Sequence, residues 1–150
     1  MDNLSLTDEK DRKMINKLPK DTLIELLSLH IRNIWRVDGL YFLNIEEGFG
    51  TEAATNIDQS CWRTMGKIEA RSLKEILDIK ETNPDKLLQL LRLTSWSLDI
   101  KGKEWKVSEN SLVFKVIDCG TQNTRLRKGQ EVFPCRKVRK GDLEEIAREF

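Results

Sequence analysis

The sequence predicts an α+β fold, a helical N-terminal two thirds packed on a small antiparallel sheet. Apolar residues recur at three- and four-residue steps as far as Leu91, which is the helical period. From Leu93 onward they alternate or run in short blocks broken by turn residues, which is the texture of strands. Helices first and strands later separate this pattern from alternating βαβ units. The 150 residues suffice for one such domain, taken as 1–150.

Each element has a local reason. Thr7-Asp8-Glu9 opens a short amphipathic helix carrying Met14, Ile15 and Leu18, and Pro19 punctuates it. Asp21 is placed as the N-cap of a second helix, whose stripe runs Leu23, Leu26, Leu27, His30, Ile31, Ile34, Asp38, Tyr41, Phe42 and Ile45. Its other side is also apolar through Ile24, Leu29, Trp35, Val37, Leu40 and Leu43, so the helix is expected to be central or buried between subunits. Gly39 inside it costs about 1 kcal/mol relative to alanine, which calls for a neighbour, a ligand or a kink. Gly48 and Gly50 read as stop and turn.

A third helix is expected from Thr51, as its cap, to Ile79, and Asn83-Pro84 reads as the cap and first position of a fourth. Residues 93–100, Trp105 to Val107 and Leu112 to Ile117 then read as three strands of a meander. The segment after Cys119 reads as loop, and a last helix is placed over Asp142 to Phe150. Its abrupt end leaves open that the domain continues beyond the last residue.

Composition excludes several classes. Hydrophobic residues make up 39% and the net charge is +1, so the chain is neither disordered nor a strongly basic nucleic-acid binder. No run of 18 apolar residues offers a membrane span, and the first ten residues lack the basic start and apolar centre of a signal peptide. A cytoplasmic location with reduced thiols is therefore expected. The even balance hides an asymmetry. Residues 1–118 hold 18 basic and 20 acidic groups, whereas residues 119–150 hold 8 and 5.

Gly-rich phosphate loops, dinucleotide fingerprints and zinc-protease or nucleophile-elbow motifs are absent. His30 is the only histidine and, on an apolar stripe, reads as a packed residue rather than a catalytic one. Polar groups on otherwise apolar helices give the catalytic candidates Asp38, Tyr41, Glu46, Asp58, Cys61 and Glu69. Two such helices face to face would form either a set of ion pairs or a polar pocket for acid–base work. Cys119 joins the candidates because a strand delivers it to a loop rich in Arg and Lys, which would favour the thiolate. Arg125, Arg127, Cys135 and Arg136, with Trp62 from the third helix, are the ligand-binding candidates, the arginines as forks for a carboxylate or phosphate. A solvated basic surface is the plain alternative. No cofactor is expected, although Cys61, Cys119 and Cys135 leave a zinc reading open against three packed thiols.

Three segments carry a family resemblance. They are Trp35-Arg36-Val37-Asp38-Gly39-Leu40-Tyr41-Phe42; Gly50-Thr51-Glu52-Ala53-Ala54 with Cys61-Trp62 and Gly66-Lys67-Ile68-Glu69-Ala70-Arg71; and Asp118-Cys119 through Gln122 and Arg125 to Phe133-Pro134-Cys135. Their order and spacing resemble an uncharacterised prokaryotic family of small cytosolic proteins. That family is in turn distantly similar to the L-2-amino-thiazoline-4-carboxylic acid hydrolases and to vinyl-reductase-type ligand-binding domains. The resemblance implies a helical half packed on an antiparallel sheet, with a pocket lined by the motif residues between them. It also implies a small carboxylate substrate, for which Arg125 would be a suitable anchor.

The resulting expectation is a cytosolic domain that binds, or hydrolyses, a small anionic molecule, with no nucleic acid and no membrane as partner. The alternative is a structural or regulatory domain that acts through a homodimer or another protein, suggested by the broad apolar circumference of the second helix.

Overall fold

The computed structural model describes residues 8–109 and 111–150. It confirms the α+β class, with helices ahead of a single antiparallel hairpin and two more helices behind it. Helix α1 (Glu9–Ile15) is capped by Asp8, which accepts from the backbone N–H of Lys10 and Asp11; Thr7 lies outside the described residues.

Helix α2 (Lys20–Ile76) contains both long helices expected from the sequence. Its break is at Gly50, where φ is +84°, a backbone conformation that favours glycine. Gly48 stays helical. The two arms, 20–49 and 51–76, fold back on each other as an antiparallel hairpin. The Trp35 and Trp62 rings stack at 4.7 Å, and Trp62 Nε1 donates to Asp38 Oδ1 at 3.0 Å, both contacts spanning Gly50. The expected caps do not form. Pro19 takes the N-cap position and Asp21 falls in the first turn, while Thr51 Oγ1 donates backwards to Glu46 Oε1.

Helix α3 (Pro84–Arg92) starts as its sequence signal requires, with Asn83 Oδ1 accepting from Lys86 N. The expected first strand is instead a short helix, α4 (Ser95–Asp99). Thr94 Oγ1 accepts from Ser97 N and caps it, a local bond that a strand would not offer. The apparent alternation also fails in space, because Ser97 is buried while Leu98 is exposed. The meander is therefore a two-stranded sheet, β1 (Gly102–Ser108) paired with β2 (Ser111–Asp118), with Trp105 opposite Phe114.

Helix α5 (Gly120–Arg127) occupies a stretch expected to be loop. Helix α6 (Cys135–Glu149) begins seven residues earlier than expected. It lies along the second arm of α2 and runs parallel to it, since the contacts Asn56–Lys137, Arg63–Glu144 and Arg71–Glu149 advance together. Gly66 allows this approach, because a Cβ there would lie 2.7 Å from the Asp142 carbonyl oxygen.

The hydrophobic core joins Ala70, Ile79, Leu90, Leu91, Trp96 and Ile146. A lone hairpin is marginal in water, and this one is anchored by Trp105 and Phe114, whose rings lie 6.4 and 5.1 Å from that of Trp96. No helix among the described residues is long and apolar enough to cross a membrane.

Candidate functional site

The folded chain gathers its sequence candidates in two places. The first is a buried cluster between the α2 hairpin and α6. Asp38 from the first arm and Asp58 and Trp62 from the second meet there, as the hairpin brings positions on either side of Gly50 together. Arg139 of α6 lies over the rings of Trp62, Trp35 and Trp96 at 4.5, 5.2 and 5.8 Å. Its guanidinium donates to Asp142 Oδ2 at 2.6 Å, and Asp142 is fully buried. Glu69 Oε1 accepts from Ser95 N at 2.6 Å and so holds the first N–H of α4.

The electrostatics of this cluster follow from burial. Loss of solvent, and then the Asp38 carboxylate beside it, push Asp58 up to about 7. Burial raises Asp38 and Glu69 as well, and carries Asp142 to about 6 despite the opposing Arg139 charge. Asp58 Oδ2 and Asp142 Oδ1 have no hydrogen-bond partner among the described residues. Asp58 is 7% exposed and Asp142 not at all.

The second place is an open groove of about 550 Å³ where α5 meets the start of α6. Val132, Phe133 and Pro134 give it apolar walls, Gln122 and Cys135 give it polar ones, and Arg136, Lys137 and Lys140 supply cations. Gln122 fixes its shape. Its Nε2 donates to the Phe133 carbonyl at 2.8 Å and to Cys135 Sγ at 2.9 Å, while its Oε1 accepts from Phe133 N. Phe133 is tilted against Phe42 of α2 at 4.8 Å. Lys137 Nζ reaches Asn56 Oδ1, Lys140 lies 3.8 Å from Glu144, and Arg136 makes no ion pair among the described residues.

The other candidates take different roles. Arg125, expected as a carboxylate anchor, already holds one inside the chain. Its guanidinium pairs with both oxygens of Glu46 at 2.9 and 3.0 Å, and its Nε donates to the Glu131 carbonyl. Arg125 holds the Glu46 carboxyl below its ordinary range. Arg127 bonds Thr124 and Asn123 within its own helix. Tyr41, Cys61 and His30 are exposed, so His30 is not the packed residue expected. Burial raises the Cys135 thiol in spite of the nearby arginine. Cys119 is the N-cap residue of α5, and all three thiols are free. No group of three His, Cys, Asp or Glu side chains among the described residues is placed to hold a metal ion.

Sequence reading missed Asp142, Lys137 and Lys140 as site residues, and it grouped Arg139 with Arg136 as an anion fork across the loop, whereas Arg139 pairs with Asp142. Val138, Asp142 and Ile146 are a four-residue repeat that marks the buried face of α6 and would have placed Asp142 inside. Starting that helix at Asp142 hid the repeat.

No curated protein and no solved structure matches the chain. The family of unknown function DUF6125 matches residues 16–150, nearly the whole length. The chain therefore belongs to this family.

Proposed function

We propose that the chain is a cytoplasmic small-molecule-binding domain that takes a small carboxylate in the groove between α5 and α6. The observation that carries this reading is the lining. Three cations and an apolar wall line an open groove of about 550 Å³, and among the described residues no acid lines it. A carboxylate would meet Arg136 and Lys140, while Val132, Phe133 and Pro134 would cover its carbon skeleton. Gln122, committed to Phe133 and Cys135, keeps the wall in place. The cytoplasmic placement is supported by three free thiols, one of them exposed.

Binding is favoured over hydrolysis. The candidate acids Asp38, Glu46, Asp58 and Glu69 do not line the groove, and hydrolysis needs a proton-transferring group within reach of the bond that breaks. The resemblance to carboxylate-processing hydrolases supports the ligand class.

The test is thermal shift with succinate and benzoate at low ionic strength, where an exposed cationic site is least screened. Stabilisation by either anion is expected in the wild type and in Arg127→Ala, and it should vanish in the double variant Arg136→Ala, Lys140→Ala. A flat response in the wild type, or an undiminished one in the double variant, refutes the reading.

A further inference from the structure

Two of the three thiols stand at the starts of α5 and α6. Cys119 follows β2 directly and is the N-cap residue of α5, where its side chain makes no capping bond. Cys135 is the first residue of α6. Gln122 joins the two places. It follows Cys119 by three residues, and side chains at the N-cap and the third helical position meet on one side of the first turn. Its Nε2 donates to Cys135 Sγ at 2.9 Å. Two further bonds, to the backbone carbonyl and N–H of Phe133, hold the residues before Cys135 against that turn.

The thiols are also within electrostatic reach of one another, since charge on Cys119 is among the causes that raise Cys135. Both are half-buried and free, so solvent reaches them. Cys61 is placed differently, exposed on the second arm of α2.

We propose that Cys119 and Cys135 form a reversible disulfide that clips the start of α6 to the start of α5. The oxidant is a small disulfide of the glutathione class. One protein thiolate attacks it, its S–S bond breaks, and a mixed disulfide forms as the first small thiolate leaves. The second protein thiolate attacks the mixed disulfide, an S–S bond forms within the chain, and the second small thiolate leaves. The two protons lost by the protein thiols pass to the two leaving thiolates. Two protein thiols are oxidised and one small disulfide is reduced to two thiols, and the reverse exchange restores both. Disulfides of reducing compartments are of this transient, redox-sensing kind. The bond needs nothing from a ligand in the groove, so the two are tested apart.

The experiment uses Cys61→Ser, in which Cys119 and Cys135 are the only thiols. The full chain is equilibrated with glutathione buffers of graded poise, quenched in acid, alkylated, and mapped by mass spectrometry after proteolysis, with circular dichroism as the folding control. A peptide pair linked through Cys119 and Cys135 is expected, and dithiothreitol should abolish it. The folded chain should be at least about tenfold more readily oxidised to this link than the same chain in concentrated urea, because the fold raises the effective concentration of one thiol at the other. The wild type should give the same link, with Cys61 carrying only glutathione, and it covers the case in which the variant does not fold. Glutathione adducts without the link overturn the proposal. So does a link that forms as readily in urea, or one that runs through Cys61 in the wild type.

Discussion

The two sides of the α2 hairpin reverse the common distribution of side chains. Towards α6 the hairpin buries Asp58 and Asp142 and half-buries Asp38, Glu69 and Arg139. Away from α6 it presents Leu27, Ile34, Tyr41, Ile57, Met65 and Ile68 to solvent. Buried ionisable groups cost solvation and are retained when each has a specific partner. Exposed apolar groups cost hydration and are tolerated singly, but a contiguous set marks a surface that is covered in the working state. The inner side is thus specified by charge pairing within one chain, whereas no described element covers the outer side. The cationic groove is a third environment, open and partly apolar, joined to the hairpin through Phe133–Phe42 and Lys137–Asn56.

Arg139 should break the inner side most completely. It is the one cation over three indole rings, and it pairs with a carboxylate that has no exposure. Removing one partner from a buried pair typically costs about 3–5 kcal/mol, because the other is left uncompensated. Arg139→Ala is expected to lose a comparable amount in urea unfolding and to shift the tryptophan emission. A loss below about 1 kcal/mol would mean that the indole stack holds the hairpin to α6 without the charge.

The next effect is a dependence on pH. Asp58 binds its proton up to about 7 in the folded chain, against an ordinary 3.8, and Asp142 up to about 6. Between those limits the folded state holds more protons than the unfolded state, so stability falls as pH rises from about 4 through 7. Glu46 acts in the opposite sense. Its lowered value contributes stability above its ordinary range that is lost in acid. The stability maximum should therefore be mildly acidic. Asp58→Asn copies the protonated form, so its stabilising effect should be greater at pH 8 than at pH 5, by on the order of 2 kcal/mol. Equal effects at both pH values would show that Asp58 is ionised in the folded chain.

These residues also show what the sequence could and could not convey. Asp38, Asp58, Trp62 and Glu69 were legible because polar groups on apolar helical stripes stand out, and Gly50 marked the fold-back that brings the first three together. The Arg125–Glu46 pair was not legible, since its members are 79 positions apart and only the tertiary fold makes them neighbours. Helix α5 was hidden for a different reason. It has no apolar stripe, its one buried residue is Arg125, and contacts such as the Gln122–Phe133 bonds set its position. Residues 95–99 misled because alternation over so few residues cannot outweigh a threonine cap, which only the backbone geometry reveals.

Gly39 gives the smallest and most discriminating effect. It stands between Asp38 of the inner side and Leu40 of the outer, and the sequence suggested a neighbour, a ligand or a kink to justify it. Among the described residues the structure supplies neither a neighbour nor a kink. The helix continues through residue 39, and a Cβ there would have no atom within 4 Å. Relative to alanine, glycine in a helix interior costs about 1 kcal/mol through backbone entropy, so Gly39→Ala should raise stability by about that amount. The isolated chain determines this sign. If the variant is instead less stable, or if its denaturation midpoint becomes dependent on protein concentration when that of the wild type is not, a second molecule approaches the first arm at Gly39. The boundary between the closed and open sides would then run on the other side of that residue.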